Sequence, residues 1–480
     1  MDPGPSPPIP GDMGTEEFRA HGRRVVDWIA DYLSRSERFP VLPKVRPGDL
    51  ARALPGEAPA RGEDLGAILD DFERLVVPAA THWNHPGFFG YFAISASAPG
   101  VIGEMLCAAL NQQAMLWRTS PAATELEAVA LSWLARLLGL PAAFEGVIYD
   151  TASIATLHAL AAAREAAGLD VRRRGLAGRS DVPRLRVYAS EEAHSSVDKA
   201  VILLGLGQEA LRKIPTDDAF RMRAEALEEA VAEDRKQGWR PLAVVATVGT
   251  TSTTSVDPVA EIASLCASAG LWLHVDAAYG GAAAVVPELR GTLAGCDRAD
   301  SLVVNPHKWL FVPFDCSAFY CRRMDALRAA FSLTPDYLRT SEGARNLMDT
   351  GIQLGRRFRA LKLWMVLRSF GAEGLASRIR EHLRLARLFA SWIDADPAFE
   401  RLAPVPFSVV CFRARAEEGK VDGLNERLLE EVNRTGEVFL SSTRIRGRLA
   451  LRLAVGHLRT EERHLARAWA LLREFRSRLS

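Results

Sequence analysis

The stretch Asn305-Pro306-His307-Lys308-Trp309 sets a lysine between two apolar runs, Leu302-Val303-Val304 before it and Leu310-Phe311-Val312 after it. An ammonium group in low dielectric loses its hydration, so lysine is seldom enclosed unless it is paired. Desolvation also lowers the lysine pKa, which makes the amine a usable nucleophile for imine chemistry. The chain otherwise avoids this residue, since only seven of its 60 Lys+Arg positions are lysine. Taken alone, the stretch is explained equally well by a lysine snorkelling out of a loop.

A second polar residue closes an apolar run upstream, in Leu271-Trp272-Leu273-His274-Val275-Asp276-Ala277-Ala278-Tyr279-Gly280-Gly281. This pattern reads as a buried strand ending in Asp276, followed by small residues and a glycine pair. Open α/β sheets bind ligands at the carboxyl ends of their parallel strands. The interval from Asp276 to Lys308 is long enough for strand, crossover (Pro287 to Asp300) and strand. Pyridoxal phosphate is the cofactor that such a pair suggests. The lysine would hold it as an imine, and the carboxylate would keep its pyridine nitrogen protonated, so that the ring can take up electrons. Asp276 as a simple cap of a helix or turn is the plain alternative. The lysine following at βαβ spacing favours the cofactor.

Phosphate binding is expected at Thr151-Ala152-Ser153, which opens the alanine-rich helix Ile154 to Glu165. Free N–H groups and the positive dipole end suit an anion there, and ordinary capping by Thr151 or Ser153 shares the same geometry. Asp150 stands just before this segment. A carboxylate so placed would repel a phosphate unless it points away or is itself hydrogen-bonded.

With these motifs in place, the chain resembles the group II pyridoxal-phosphate-dependent amino-acid decarboxylases, most closely the aromatic-L-amino-acid decarboxylase type. The resemblance runs over nearly the whole chain. It is carried by His82-Trp83, His85-Pro86, Phe88-Phe89-Gly90-Tyr91-Phe92, Ser120-Pro121-Ala122 with Thr124-Glu125-Leu126-Glu127, Ala193-His194-Ser195-Ser196, and Gly249-Thr250-Thr251. The segments His274 to Ala278, Asn305 to Trp309 and Leu354-Gly355-Arg356-Arg357-Phe358 complete it. It implies an α/β, fold-type I pyridoxal-phosphate enzyme: a mostly parallel central sheet covered by helices, with an N-terminal helical layer and a small C-terminal α+β domain. The implied reaction is decarboxylation of an aromatic L-amino acid of phenylalanine, tryptophan or tyrosine type, in a homodimer. Lys308, Asp276 and His194 would be catalytic. His194 would stack on the cofactor ring, Thr251 would lie near its hydroxyl, Ala278 beneath it, Asn305 at the phosphate, and His307 near the phosphate or the base network. Trp83, Tyr91 and Phe92 match the substrate wall, and Met115 would reach the partner's pocket.

The loop from Thr340 to Gly351 departs from the family, which usually carries a tyrosine after an aspartate as the proton donor to Cα. Here Thr350 follows Asp349, no tyrosine falls in the loop, and Tyr337 is the nearest. Threonine is shorter and far less acidic than a phenol. The alternatives are therefore an aldehyde-forming oxidative decarboxylation–deamination or a weakly active relative, unless His194, a water or a partner residue supplies the proton. A catalytically silent binding protein is disfavoured because Lys308, Asp276 and His194 are all present. The Asn-Pro-His-Lys-Trp context likewise argues against an aminotransferase.

The composition fits a globular, multi-domain chain: 480 residues, 48% hydrophobic and 25% charged, more than one core of about 250–300 residues accommodates. A formal net charge of +1 gives no electrostatic reason for a nucleic-acid partner. No apolar run reaches the ~18 residues that would suggest a membrane span. The six cysteines have no metal-ligand or CxxC spacing and read as reduced core residues of a cytoplasmic protein. The start, Met-Asp-Pro-Gly-Pro-Ser-Pro-Pro, lacks the features of a signal peptide. The expected organisation is a disordered tail over 1–14, a helical dimerisation segment over 15–94, a large cofactor domain over 95–370 and a small domain over 371–480. Within the second of these, an amphipathic helix over 15–35 and a helix over 64–78 flank a Pro-rich connector over 40–59.

Overall fold

The computed structural model describes residues 12–333 and 346–479. The central sheet contains β1 (Glu145–Tyr149), β2 (Leu185–Ser190), β3 (Leu211–Ile214), β4 (Arg240–Thr247), β5 (Trp272–Asp276), β6 (Ser301–Val304) and β7 (Ser317–Cys321), in the order β1-β7-β6-β5-β4-β2-β3. Strands β2 to β6 pair in parallel, while β7 runs antiparallel between β1 and β6. Parallel pairs need crossovers, and helices such as Ala152–Ala166 and Val259–Ala269 supply them on the two faces. Strand β4 explains its own composition. Val244 and Ala246 pack into one core with Ile262 and Leu273, whereas Ala243 and Val245 pack into the other with Ala159 and Ala163. A strand covered on both faces has no polar alternation to display.

The crossover from β5 to β6 is built of 3₁₀ turns, Gly280–Val285, Pro287–Leu293 and Cys296–Arg298, rather than an α-helix. Lys308 lies just past β6 in the single helical turn Pro306–Trp309, whose proline at the first turn needs no N–H partner.

The first helix, Thr15–Ser34, has no buried residue. The next runs as α-helix only from Leu65 to Asp71 and continues as a π turn, Phe72–Val76, and a 3₁₀ turn, Val77–Ala79. The connector between them contains a short helix, Asp49–Ala53. At the other end of the chain, β8 (Phe399–Arg401), β9 (Val409–Ala414), β10 (Ser441–Ile445) and β11 (Arg448–Ala454) form an antiparallel sheet in the order β10-β11-β9-β8. Phe389, Phe412, Leu428 and Leu465 share its core. The long helix Ala360–Ala395 links the two sheets and is broken at Gly371, where φ is 62°.

Two of the sequence motifs meet in a buried ion pair. Arg356 Nη2 donates to Glu127 Oε1 at 2.9 Å and to the Ile148 carbonyl at 2.7 Å, while the Ile148 N–H donates to the same glutamate oxygen at 2.9 Å. The pair fixes β1, and with it the start of helix Ala152–Ala166, against helix Pro121–Leu138.

Nine of the ten histidines are held below their ordinary pKa, in each case chiefly by burial. His158, His307 and His382 fall to about 3 and His274 to about 4. A base with a depressed folded pKa stabilises the fold above its unfolded value, near 6.5, and that contribution is lost as pH falls toward the folded value. Each such ring removes up to about 1.4 kcal/mol per pH unit in that window. The urea midpoint is therefore expected to fall from about pH 7 to about pH 5. An unchanged midpoint would show that these rings titrate normally.

Candidate active site

Strands β5 and β6 lie side by side with His274 opposite Ser301 and Asp276 opposite Val303. Their carboxyl ends therefore deliver Asp276 and the turn of Lys308 to one end of the sheet. The Ala278 N–H donates to Asp276 Oδ1 at 3.1 Å, which fixes the carboxylate and leaves Oδ2 for a ligand. The Asn305 N–H donates to the Ala278 carbonyl at 3.1 Å, and the Lys308 N–H to the Asn305 carbonyl at 3.0 Å. The lysine is thus registered to the aspartate through backbone alone. Its Nζ sits 4.9 Å from the centroid of the Phe92 ring. Burial pushes the Lys308 pKa down; Asp276 opposes that shift and Arg452 reinforces it.

At the other side of this opening, helix Ala152–Ala166 starts at Thr151 with no side-chain cap. Its first N–H groups have no intrahelical partner. Asp150 is hydrogen-bonded: its Oδ1 accepts the Thr151 N–H at 2.6 Å and the Thr151 hydroxyl at 3.3 Å. Ser317 Oγ lies 3.2 Å from the Asp150 carbonyl and 2.7 Å from Asn305 Oδ1, so it joins the helix start to the lysine turn. Thr151, Ala152, Ser153 and Asn305 are in this way brought together.

His194 is exposed at the cleft and accepts the Ser196 N–H on Nδ1 at 3.1 Å, which places the proton of the neutral ring on Nε2. Although the residue as a whole is exposed, partial desolvation of its ring by the cleft walls lowers its pKa, Asp276 pulls it up and Lys308 pushes it down, in that order, so the three groups share one field. Thr251 is exposed in the turn after Gly249. That glycine, at φ 91°, lets the Gly280 backbone approach where a Cβ would lie 2.8 Å from its nitrogen. His307 is buried in the turn that carries Lys308. Its Nδ1 accepts the Cys316 N–H at 2.9 Å, and burial holds its pKa at about 3, so it braces the turn behind Lys308.

The aromatic residues divide. Phe92 stacks on Tyr279 at 3.9 Å beside the lysine. Trp83 and Tyr91 pack on each other at 6.0 Å and on Phe88 and Phe439. The left-handed backbone at Tyr91, φ 51°, is what turns adjacent rings to different neighbours. The Met115 carbonyl accepts the Met348 N–H at 2.9 Å, pairing that segment with the end of the loop.

Residues 340–345 of the loop, and Tyr337, lie outside the described residues. Thr350 is buried. Its hydroxyl donates to the Leu347 carbonyl at 2.6 Å, and its own carbonyl accepts the Tyr149 phenol. The hydroxyl is taken within its own turn.

One residue of the site escaped the sequence reading. Arg452, in the middle of β11, is 4% exposed and lies 4.6 Å over the Phe92 ring. It donates through Nε to the Ser252 carbonyl at 3.1 Å and through Nη1 to the Tyr91 carbonyl, while its enclosed Nη2 has no partner among the described residues. It therefore ties the Phe92 segment to the Thr251 turn and adds positive charge near Lys308. The signal was present: one arginine within Ala450-Leu451-Arg452-Leu453-Ala454 is as anomalous as a lysine between apolar runs.

Comparison with known proteins shows the family to which the chain is similar. The model of the pyridoxal-dependent decarboxylase conserved domain matches residues 47–415. The chain is 42% identical over 477 residues to phenylacetaldehyde synthase of Arabidopsis thaliana, covering 96% of each chain. It is 42% identical over 475 residues to aromatic-L-amino-acid decarboxylase of Sus scrofa, again 96% of each. It superposes on the structure of Oryza sativa TDC with PLP and tryptamine at a TM-score of 0.94, with 37% identity, covering 98% of this chain and 100% of that one.

Replacing Arg452 by methionine should destabilise the protein by about 1–3 kcal/mol for each abandoned carbonyl and lower turnover. It should also raise the Lys308 pKa, since one neighbouring cation is removed. A pH titration of the visible absorbance of the cofactor-loaded enzyme checks the second point. A profile identical to wild type would confine Arg452 to a structural role.

Proposed function

The chain belongs to the pyridoxal-dependent decarboxylase family, and we propose that it removes CO2 from an aromatic L-amino acid of phenylalanine, tryptophan or tyrosine type to leave the amine. The observation that carries this reading is the half-buried Lys308, its amine set against Phe92 and in the field of Asp276. Pyridoxal phosphate, when bound, supplies an aldehyde that the lysine can capture and a cationic ring that accepts the electrons released with CO2. Lys308 would bind it through Nζ, and Asp276 would hold the proton on its ring nitrogen. Thr151, Ala152, Ser153 and Asn305 would hold its phosphate, with His194, Thr251 and Ala278 around the ring. Trp83, Tyr91 and Phe92 would offer apolar, stackable surface to the substrate. Ala93 and Ile94, which follow Phe92, offer no side-chain partner for a ring hydroxyl. A buried hydroxyl without a partner costs about 1–3 kcal/mol.

A second reading is favoured by the placement of Thr350, whose engaged hydroxyl leaves no acid at that position. If no proton reaches Cα, dioxygen and water can convert the amino acid to aldehyde, CO2, ammonia and hydrogen peroxide. One assay separates the two: CO2 with stoichiometric amine supports the first, and CO2 with aldehyde and peroxide supports the second. Phenylalanine or tryptophan should exceed dopa in kcat/KM by about tenfold or more, the factor that ~1.4 kcal/mol gives. Lys308→Ala should lose both CO2 release and the borohydride-sensitive visible band. Dopa as the preferred substrate, or turnover retained by Lys308→Ala, would refute the assignment.

The assembly we infer is a homodimer. Phe18 and Val26 on the first helix and Ile102, Leu106 and Leu110 on helix Ala98–Leu110 are exposed apolar residues that a second copy would cover. Met115 would then serve the partner's site. The six cysteines form no disulfide, which suits a reducing compartment such as the cytoplasm. The small domain would begin where Gly371 breaks the linking helix. Sedimentation is expected to give a dimer at assay concentration, and Leu106→Asp should shift it toward monomer and lower activity. A fully active monomer would contradict the dimer.

A further inference from the structure

A cavity of about 370 Å³ lies at the end of the central sheet opposite Lys308. It is bounded by the amino ends of β4 and β5 and by Asp300 just before β6. Arg322 and Arg323 join them from the end of β7, because that strand is antiparallel and Cys321 stands opposite Ser301. Four guanidinium groups, from Arg240, Arg298, Arg322 and Arg323, line the cavity with one carboxylate, Asp300. Elsewhere the arginines are extensively paired with acids, as in Arg380 with Glu288 and Arg463 with Glu37. None of these four makes an ion pair among the described residues.

Their hydrogen-bond partners are neutral, while the Asp300 carboxylate lies within electrostatic reach of Arg322 and Arg323 and offsets part of their charge. Arg240 Nη2 donates to the Ala167 carbonyl at 2.9 Å, Arg298 Nη1 to Ser264 Oγ at 2.9 Å and its Nη2 to the Ala260 carbonyl, and Arg322 Nη1 to the Asp297 carbonyl at 3.1 Å. The Arg323 guanidinium lies 5.5 Å over the Trp272 ring and has no hydrogen bond among the described residues. Compensation of a helix carboxyl end explains Arg240, at the end of helix Ala152–Ala166, but not the other three. Asp300 is occupied on one side, its Oδ2 accepting the Leu273 N–H at 2.8 Å. The cavity thus keeps an excess of positive charge and several undirected N–H donors. Leu242, Trp272 and the alanines of the two flanking helices give it an apolar floor.

We propose that this cavity binds a small, multiply charged oxyanion, the phosphate or polycarboxylate group of a polar metabolite, at a site separate from that of Lys308. Planar guanidinium forks match the oxygen geometry of both anions and form charge-assisted bonds to them. The volume suits a ligand of metabolite size. Such a ligand would join the starts of β5 and β6, the two strands whose far ends carry Asp276 and Lys308. From Leu273 to Asp276 the strand spans only about 10 Å. Occupancy would therefore stabilise the folded chain by mass action and brace the strands that position the site.

The test uses the cofactor-loaded enzyme, so that the phosphate position near Thr151 is already filled. Calorimetric titration at low ionic strength with pyrophosphate, and separately with citrate, is expected to give one saturable site and a raised Tm with at least one of them. The tighter probe identifies phosphate or carboxylate as the source. Arg322→Gln with Arg323→Gln should weaken binding about tenfold or more, with kcat on the amino acid retained. Arg240→Gln with Arg298→Gln is an independent second variant should the first not fold, and Arg401→Gln, whose partner is Asp394, should bind as wild type. Absence of saturable binding by both probes, or wild-type binding in the cavity variants, overturns the proposal.

Discussion

The site depends on partly shielding one amine from water. Lys308 is useful as a nucleophile only while burial holds its pKa down, yet a buried cation is costly wherever it is protonated. Two opposed neighbours set the balance: Asp276 favours the charged form and Arg452 the neutral one. Neither could be placed by the lysine's own strand. Asp276 arrives because parallel pairing puts the ends of β5 and β6 together, and Arg452 arrives from an antiparallel sheet in another part of the chain. The requirement for a shielded amine therefore constrains how the two sheets sit against each other. The carbonyls of Tyr91 and Ser252, bound to Arg452, are the contacts that meet that constraint.

The same contrast explains what could be read in the sequence. Lys308 and Asp276 were legible because each is a polar residue ending or following an apolar strand, and the interval between them matches one crossover. The parallel sheet was legible for the same reason, since Leu242 to Thr247 is apolar on both faces. Arg452 carried the same local anomaly, but its meaning depends on contacts with Tyr91 and Ser252, far away in the chain. The surroundings of Thr350 were not legible, because Tyr149 and Leu347, which no spacing rule brings to it, decide where its oxygen atoms point. The π turn at Phe72–Val76 was illegible too, because helical periodicity does not distinguish a turn of one extra residue.

The family motifs divide by physical role. Glu127 and Arg356 touch none of the reacting groups, yet their buried pair fixes β1 against helix Pro121–Leu138. Removing one member would strand the other charge, which costs about 3–5 kcal/mol in such settings. The helix that begins at Thr151 follows β1 directly, so the anion end of the site inherits its position from this pair.

A second chain of contacts runs inward from the amine. Phe92 stacks on Tyr279 at 3.9 Å, and Tyr279 on Trp309 at 4.7 Å. Trp309 Nε1 can only donate, and it donates to His382 Nδ1 at 2.9 Å. That forces the other tautomer position: His382 Nε2 must carry the proton it gives to the His457 carbonyl at 3.0 Å. The imidazole is satisfied on both sides only while neutral, and protonation would set two donors against each other. The wall beside Lys308 is thus fixed by one histidine in the core, and the depressed pKa of that ring belongs to the same demand for shielding from water that governs the lysine.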